Sequence, residues 1–214
     1  MSKTALVAGA TGLIGQQLLQ RLLDSGAYAR IKVLTRRPLH IEDSRIEPLL
    51  TDFSDLPSLN LKADDVFCCL GTTLRAAGSR EAFEKVDFHM VNDLAHASRA
   101  QGAKQFLVIS AIGASAVSPS FYSRVKGRME AAVSALDFEA VHILQPSLLL
   151  GPRAERRPAE DLAQKLSPAL MPLFFGPLKK YRPIRAKDVA DAMLKLALDG
   201  KRGVHVHTLP LSCT

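Results

Sequence analysis

Short apolar runs alternate with longer amphipathic stretches along most of this chain. Residues 4–8 (TALVA) form a strand-like run, and beyond a cluster of glycines Leu13, Ile14, Leu18, Leu19, Leu22 and Leu23 recur at helical spacing. Gly26 suits the stop of that helix. A second strand is predicted at 31–35 (IKVLT), a weaker third around 45–50, and a fourth at 65–71 (DVFCCLG). The fourth is nearly all apolar, as a strand buried on both faces should be. Residues 79–101 predict a long helix with Phe83, Val86, Met90, Leu94 and Ala97 on one side. A fifth strand follows at 105–110 (QFLVIS), and a helix from about Pro119 that Ser118 would cap. A sixth strand covers roughly 140–144, and a helix at 186–198 and a short strand near Val204 return the chain to the sheet.

Strands that alternate with helices need crossover connections, so the expected fold is α/β, a doubly wound, mostly parallel Rossmann-type sheet with helices on both faces. The 214 residues fit one domain. Past Leu150 the texture changes, with six prolines between 152 and 183. Residues 151–185 are too few for a core of their own and are expected to cap the carboxyl edge of the sheet, on the substrate side.

Composition narrows the classes. Apolar residues are 47% of the chain, ample for one large core, and no apolar run reaches the roughly 18 residues of a membrane span. The N-terminus runs directly into the glycine loop and does not read as a secretory signal. Cys68 and Cys69 are neighbours on a predicted strand and would point to opposite faces, so a disulfide framework is not expected and a cytoplasmic setting is. Of the net charge of +7, residues 151–187 carry +6, from nine Lys/Arg against three Asp/Glu. Such a patch could meet nucleic acid, an anionic substrate or cofactor phosphates. Nucleic acid is the least expected of these, and stacking on bases has little to support it.

Gly9, Gly12 and Gly15 form G-x-x-G-x-x-G between a strand and a helix. Glycine is needed where the backbone turns tightly, where it approaches a pyrophosphate and where helix packs close on strand, and the helix N-terminus offers N–H groups to the anion. Thr11, Leu13 and Ile14 belong to the same loop. NAD enzymes usually carry an acid about 20 residues on, for the ribose 2′-hydroxyl. Here the second strand ends in Thr35, Arg36 and Arg37, and no acid appears before Glu42. A guanidinium grips a 2′-phosphate that a carboxylate would repel, which favours NADP(H) over NAD(H). Asp52 and Phe53 follow the third strand, where an acid could meet the adenine amino group.

Tyr122 and Lys126 stand four apart, on one face of the predicted helix, and Ser110 closes the fifth strand at the edge where open α/β sheets bind ligands. Together they can run carbonyl reduction. Ser110 would bond the carbonyl oxygen and Tyr122 would deliver a proton. Lys126 would favour the phenolate and could hold the nicotinamide ribose.

With these residues the chain resembles the short-chain dehydrogenase/reductase superfamily, in particular its atypical members. GATGLIG (9–15) is similar to the phosphate loop of the extended and atypical groups. FCCLGTT (67–73), VD (86–87), VISAIGA (108–114) and YSRVKGRMEAAV (122–133) resemble the Tat-interacting oxidoreductase family of animals and its bacterial relatives. The resemblance spans about residues 3–195. It implies NADP(H) binding and reductase activity, with Leu70, Gly71 and Thr72 lining the adenosine and ribose side and Pro146 and Ser147 beside the nicotinamide. Two departures stand out. Many extended members have an asparagine where this chain has Asp87, which puts a relay through that asparagine in doubt. The capping region is also short for enclosing a nucleotide-sugar, which weakens an epimerase or dehydratase reading.

Other residues read as structural: the strand cysteines as small core residues, and His89 and His96 as surface or packing residues. His205 and His207 share a strand face without an evident third ligand, so no metal is expected. Arg153 could contact substrate, while Arg156 and Arg157 would face solvent. The leading expectation is an NADP(H)-dependent oxidoreductase of a small carbonyl or alcohol. Its rival is an NADP(H)-sensing regulator that works through a protein partner without turnover. A homodimer fits either.

Overall fold

The computed structural model describes residues 3–39, 41–150 and 182–210. Seven strands form one sheet: β1 (Lys3–Ala8), β2 (Tyr28–Thr35), β3 (Ile46–Leu50), β4 (Asp65–Cys68), β5 (Gln105–Ile109), β6 (Ala140–Pro146) and β9 (Gly203–Leu209). They are ordered β3-β2-β1-β4-β5-β6-β9, and every bonded pair is parallel. This is the Rossmann order extended by one strand. β7 (Leu149–Leu150) and β8 (Ile184–Arg185) pair separately as a short parallel ribbon.

Helices cover both faces because strand residues alternate between two apolar layers. On one face α1 (Leu13–Ser25) and α6 (Ala186–Leu198) bury Leu18, Leu22, Val189 and Met193 against Val7, Val33, Phe67 and Leu144. On the other, α4 (Met90–Ala100) and α5 (Phe121–Ser134) bury Leu94, Met129 and Val133 against Leu6, Val66, Val108 and Ile143. Cys68 packs in the second layer and Cys69 against the first, on opposite faces as the strand geometry requires. At the amino end of the sheet the buried Asp65 accepts bonds from Tyr28 (2.7 Å) and Lys3 (3.0 Å), fastening β4 to β1 and β2.

Several boundaries differ from those read in the sequence. The fourth strand stops at Cys68 rather than Gly71, so Cys69, Leu70 and Gly71 turn across the carboxyl edge. α5 begins at Phe121, two residues beyond Pro119. Ser120 is its cap, and the Arg124 guanidinium holds the carbonyls of Ser118 (2.7 Å) and Pro119 (3.2 Å) outside the helix.

The helix expected at 79–101 consists of α3 (Arg80–Glu84), a π turn at Lys85–His89, and α4. A π turn carries one residue more than an α turn and shifts the inward face. Asp87 and Val91 are therefore buried beside Phe83 and Leu94, while Val86 and Met90, expected inward, are only half-buried. A short helix, α2 (Leu74–Ala77), precedes it. The expected cap lies outside the described residues over 151–181, as do Arg153, Arg156 and Arg157.

Candidate active site

The switch in strand order falls between β1 and β4, which lead to helices on opposite faces of the sheet, and ligands of such sheets bind there. The phosphate-type loop occupies this point, because Gly9 to Gly12 connect β1 to α1. Gly9 has φ +80° and lies so close to the β4 turn that a Cβ would stand 2.6 Å from the Cys69 carbonyl oxygen. A Cβ on Gly15 would stand 2.1 Å from the Gly9 carbonyl oxygen, so α1 can start this near β1 only with glycine there. Gly12 is the helix N-cap and supplies no side-chain acceptor, leaving the first N–H groups of α1 for an external anion. Ile14 and Gly15 are buried, Leu13 is half-buried and Thr11 is exposed.

The other residues expected at a dinucleotide end or follow strands of the same parallel sheet, at its carboxyl edge. Thr35 ends β2 and donates its hydroxyl to the Arg37 carbonyl (2.6 Å), shaping the turn that carries Arg36 and Arg37. Both arginines are exposed and neither has a carboxylate partner among the described residues. Asp52 accepts both the backbone N–H (2.9 Å) and the hydroxyl (2.6 Å) of Ser54, which hold its carboxyl below the usual range. Phe53 is the sole non-glycine with positive φ (+70°) among the described residues, a conformation that costs an aromatic residue energy and recurs at ligand-binding turns. Leu70, Gly71 and Thr72 follow β4. Pro146 ends β6, and the Ser147 hydroxyl donates to the Arg182 carbonyl, tying the chain after β6 to the segment before β8.

The second cluster lies between β5 and α5. Ser110 is 4% exposed, and its Oγ has no hydrogen-bond partner among the described residues. A buried hydroxyl left this way is costly unless something else occupies its reach. Lys126, one turn after Tyr122 on α5, is also 4% exposed. Its Nζ lies 2.8 Å from Asp87 Oδ1 and donates to the Ile109 carbonyl (3.3 Å), next to Ser110. Burial pulls the Lys126 ammonium down, but Asp87 first and Tyr122 next outweigh it and hold it above its ordinary value. The Tyr122 ring packs on Phe83, with centroids 5.5 Å apart. The other carboxylate oxygen of Asp87 accepts the Thr72 N–H (2.8 Å), so one buried side chain joins the β4 turn to the α5 lysine.

The chain matches the NAD dependent epimerase/dehydratase family over residues 5–209. It belongs to that family. Among curated proteins it is 33% identical to "Protein FMP52, mitochondrial" of Lodderomyces elongisporus, over 95% of this chain and 90% of that protein. It is 34% identical to "Protein HTATIP2" of Rattus norvegicus, over 83% of this chain and 72% of that protein. These relatives uphold the resemblance read from the motifs. The fold is similar to MoeE5 in complex with UDP-glucose and NAD, with TM-score 0.70 at 22% identity, covering 95% of this chain and 75% of that one. It is likewise similar to a UDP-glucose 4-epimerase of Thermotoga maritima, with TM-score 0.69 at 18% identity, covering 95% and 75%. The residues that shape the loop at the switch point fit the nicotinamide dinucleotide that this family uses.

One expectation is overturned. FMP52 relatives of three fungi are named as mitochondrial proteins, a finding that goes against the cytoplasmic setting expected from the sequence. The cysteines argued only against a disulfide framework, and free thiols do not choose between one reducing compartment and another.

Two features went unread in the sequence. Asp87 was visible as a departure from asparagine, but its contact with Lys126 depends on the π turn, which has no pattern in this sequence. His142 was read only as part of a strand. Its Nδ1 lies 3.1 Å from His207 Nε2, and its ring stacks with those of His205 and His207 at 5.4 and 5.3 Å. Among the described residues no group of three or more His, Cys, Asp or Glu is arranged to hold a metal ion.

Proposed function

We propose that this protein is an NADP(H)-dependent oxidoreductase acting on a small carbonyl or alcohol through Ser110, Tyr122 and Lys126. The observation that carries the reading is the buried pairing at the end of β5. An ammonium held above its ordinary value stands one helical turn from a tyrosine and beside an unpartnered buried serine hydroxyl.

When bound, the dinucleotide supplies or accepts the hydride at the substrate carbon. Ser110 Oγ, which has no hydrogen-bond partner among the described residues, donates to the carbonyl oxygen. Tyr122 Oη transfers its proton to that oxygen as the carbon is reduced, leaving a phenolate that Lys126 stabilises and solvent reprotonates. In oxidation the same groups run in reverse. Lys126 would also hold the nicotinamide ribose, since its ammonium lies beside the β4 turn, with a Cβ on Gly71 3.9 Å from Nζ. Arg36 and Arg37, exposed and without carboxylate partners among the described residues, support a 2′-phosphate and hence NADP(H).

The test is NADPH oxidation across a panel of aldehydes, ketones and quinones, with UDP-glucose included as the probe for nucleotide-sugar chemistry. Tyr122→Phe should abolish turnover and leave NADPH affinity within about threefold. Unchanged turnover in that variant would sink the mechanism. Tight NADPH binding with silence across the whole panel would instead support the cofactor-sensing regulator.

A further inference from the structure

The helix that runs from 80 to 100 is interrupted once, at the π turn 85–89, and the residue this turn brings inward is an acid. Asp87 is fully buried beside Phe83, Val91 and the β4 turn. Oδ1 lies 2.8 Å from Lys126 Nζ and Oδ2 accepts the Thr72 N–H at 2.8 Å. The β4 turn packs directly on the carboxylate, since a Cβ on Gly71 would lie 3.4 Å from Oδ1.

An amide would hold the Thr72 N–H equally well and would spare the protein the desolvation of a second buried charge. What an amide does not provide is charge. With asparagine at this position, the ammonium of Lys126 would act on Tyr122 unopposed. With aspartate, the two charges largely cancel.

We infer that Asp87 is a positioning residue that fixes Lys126 and neutralises its charge, keeping Tyr122 protonated at neutral pH and so poised as the acid of carbonyl reduction. The inference rests on the reading of Tyr122 as the proton donor. Among the described residues, the other titratable groups near the pair do not supply the same charge. The Cys68 thiol, facing Lys126 from β4, is pushed up to about 12 by burial and is neutral. Ser110 is neutral at the end of β5. The Arg128–Glu84 pair, between α5 and α3, is half-exposed and balanced within itself. Arg80 and Arg124 stack on the far ring of Phe121, at 5.2 and 6.0 Å.

The experiment is an ultraviolet titration of tyrosine ionisation, which needs no substrate. The chain has three tyrosines, and subtracting a matched Tyr122→Phe background isolates Tyr122. In Asp87→Asn the Tyr122 phenolate should appear about one pH unit or more below its wild-type midpoint, as expected when one charge of a close pair is removed. The double variant Asp87→Asn/Lys126→Gln removes both charges and should titrate within about half a unit of wild type. It also keeps the question open to measurement if the single variant, with its uncompensated lysine, does not fold. An unmoved midpoint in Asp87→Asn, a midpoint moved upward, or a double variant displaced as far as the single one would each overturn the inference. If turnover exists, the alkaline limb of the reductive rate should move down with the phenolate in Asp87→Asn. A moved phenolate with no turnover anywhere on the panel keeps the charge argument and removes only the reaction.

Discussion

At the scale of single residues, the firmest constraints come from places where backbone touches backbone. Gly127 lies on α5 one residue past Lys126, and a Cβ there would stand 2.1 Å from the Ser115 carbonyl carbon and 2.2 Å from the Ala116 nitrogen. Backbone on both sides leaves no flexible side chain to yield. Gly127→Ala must lift α5 from the loop that follows β5, with a loss of about 2–3 kcal/mol, the upper part of the usual overpacking range. The same displacement moves Lys126 away from Ile109, so turnover should fall more than stability alone explains. Urea unfolding together with NADPH-dependent rates checks both parts, and a variant as stable as wild type would refute the packing argument. Gly9, Gly12 and Gly15 were legible because their spacing is a pattern. Gly127 was not, because its need arises from a loop twelve residues earlier in the chain.

Secondary-structure elements were readable where packing followed period, and misread where a local bond overrode it. α1 matched its apolar stripe and α6 its expected span because each lies on one sheet face. The inward face of the 80–100 helix shifted because the π turn buries an ion pair that no hydrophobic pattern encodes. The join of β6 to β9 offers a pH test of the same kind. Burial first, then His207 and His205, push the imidazolium of His142 down to about 4, and His207 is lowered mainly by burial. The folded protein therefore disfavours the proton that the unfolded chain accepts near 6.5. A native value below the unfolded one means that stability falls as pH drops through 6.5 and levels off below about 4. For His142 alone the full loss is roughly 3 kcal/mol. Carboxylates titrate in the same window, so the informative quantity is the difference between wild type and His142→Leu, which keeps an apolar residue under α6. Unfolding free energies at pH 7, 5.5 and 4.5 should fall less steeply in the variant, and parallel curves would show that the histidine cluster does not carry the dependence.

The whole molecule gathers its candidate ligand groups from sequence-distant segments onto one edge: the loop at 9–15, the turn at 35–37, the turn at 51–53, the turn at 69–72, and the ends of β5 and β6 with α5. The doubly wound order was legible because alternating strands and helices admit few other topologies. The separation of charge along the edge was legible in part, since Arg36 and Arg37 stand at a strand end where an acid is usual for NAD. A ligand that spans such segments binds only the folded chain, so its affinity appears as stability. At NADPH a hundredfold above its dissociation constant the gain is about 2.7 kcal/mol. In a domain of this size that is a rise in Tm of about 5–10 °C. Arg36 and Arg37 are exposed and have no carboxylate partner among the described residues, so replacing both with glutamate should leave the unliganded Tm within about 2 °C. The double variant should lose most of the NADPH-induced rise, because carboxylates now face the 2′-phosphate, while its response to NADH stays near that of wild type. Equal rises with NADH and NADPH in the wild-type protein would withdraw the preference for the phosphorylated cofactor and leave the glycine loop as a site for either.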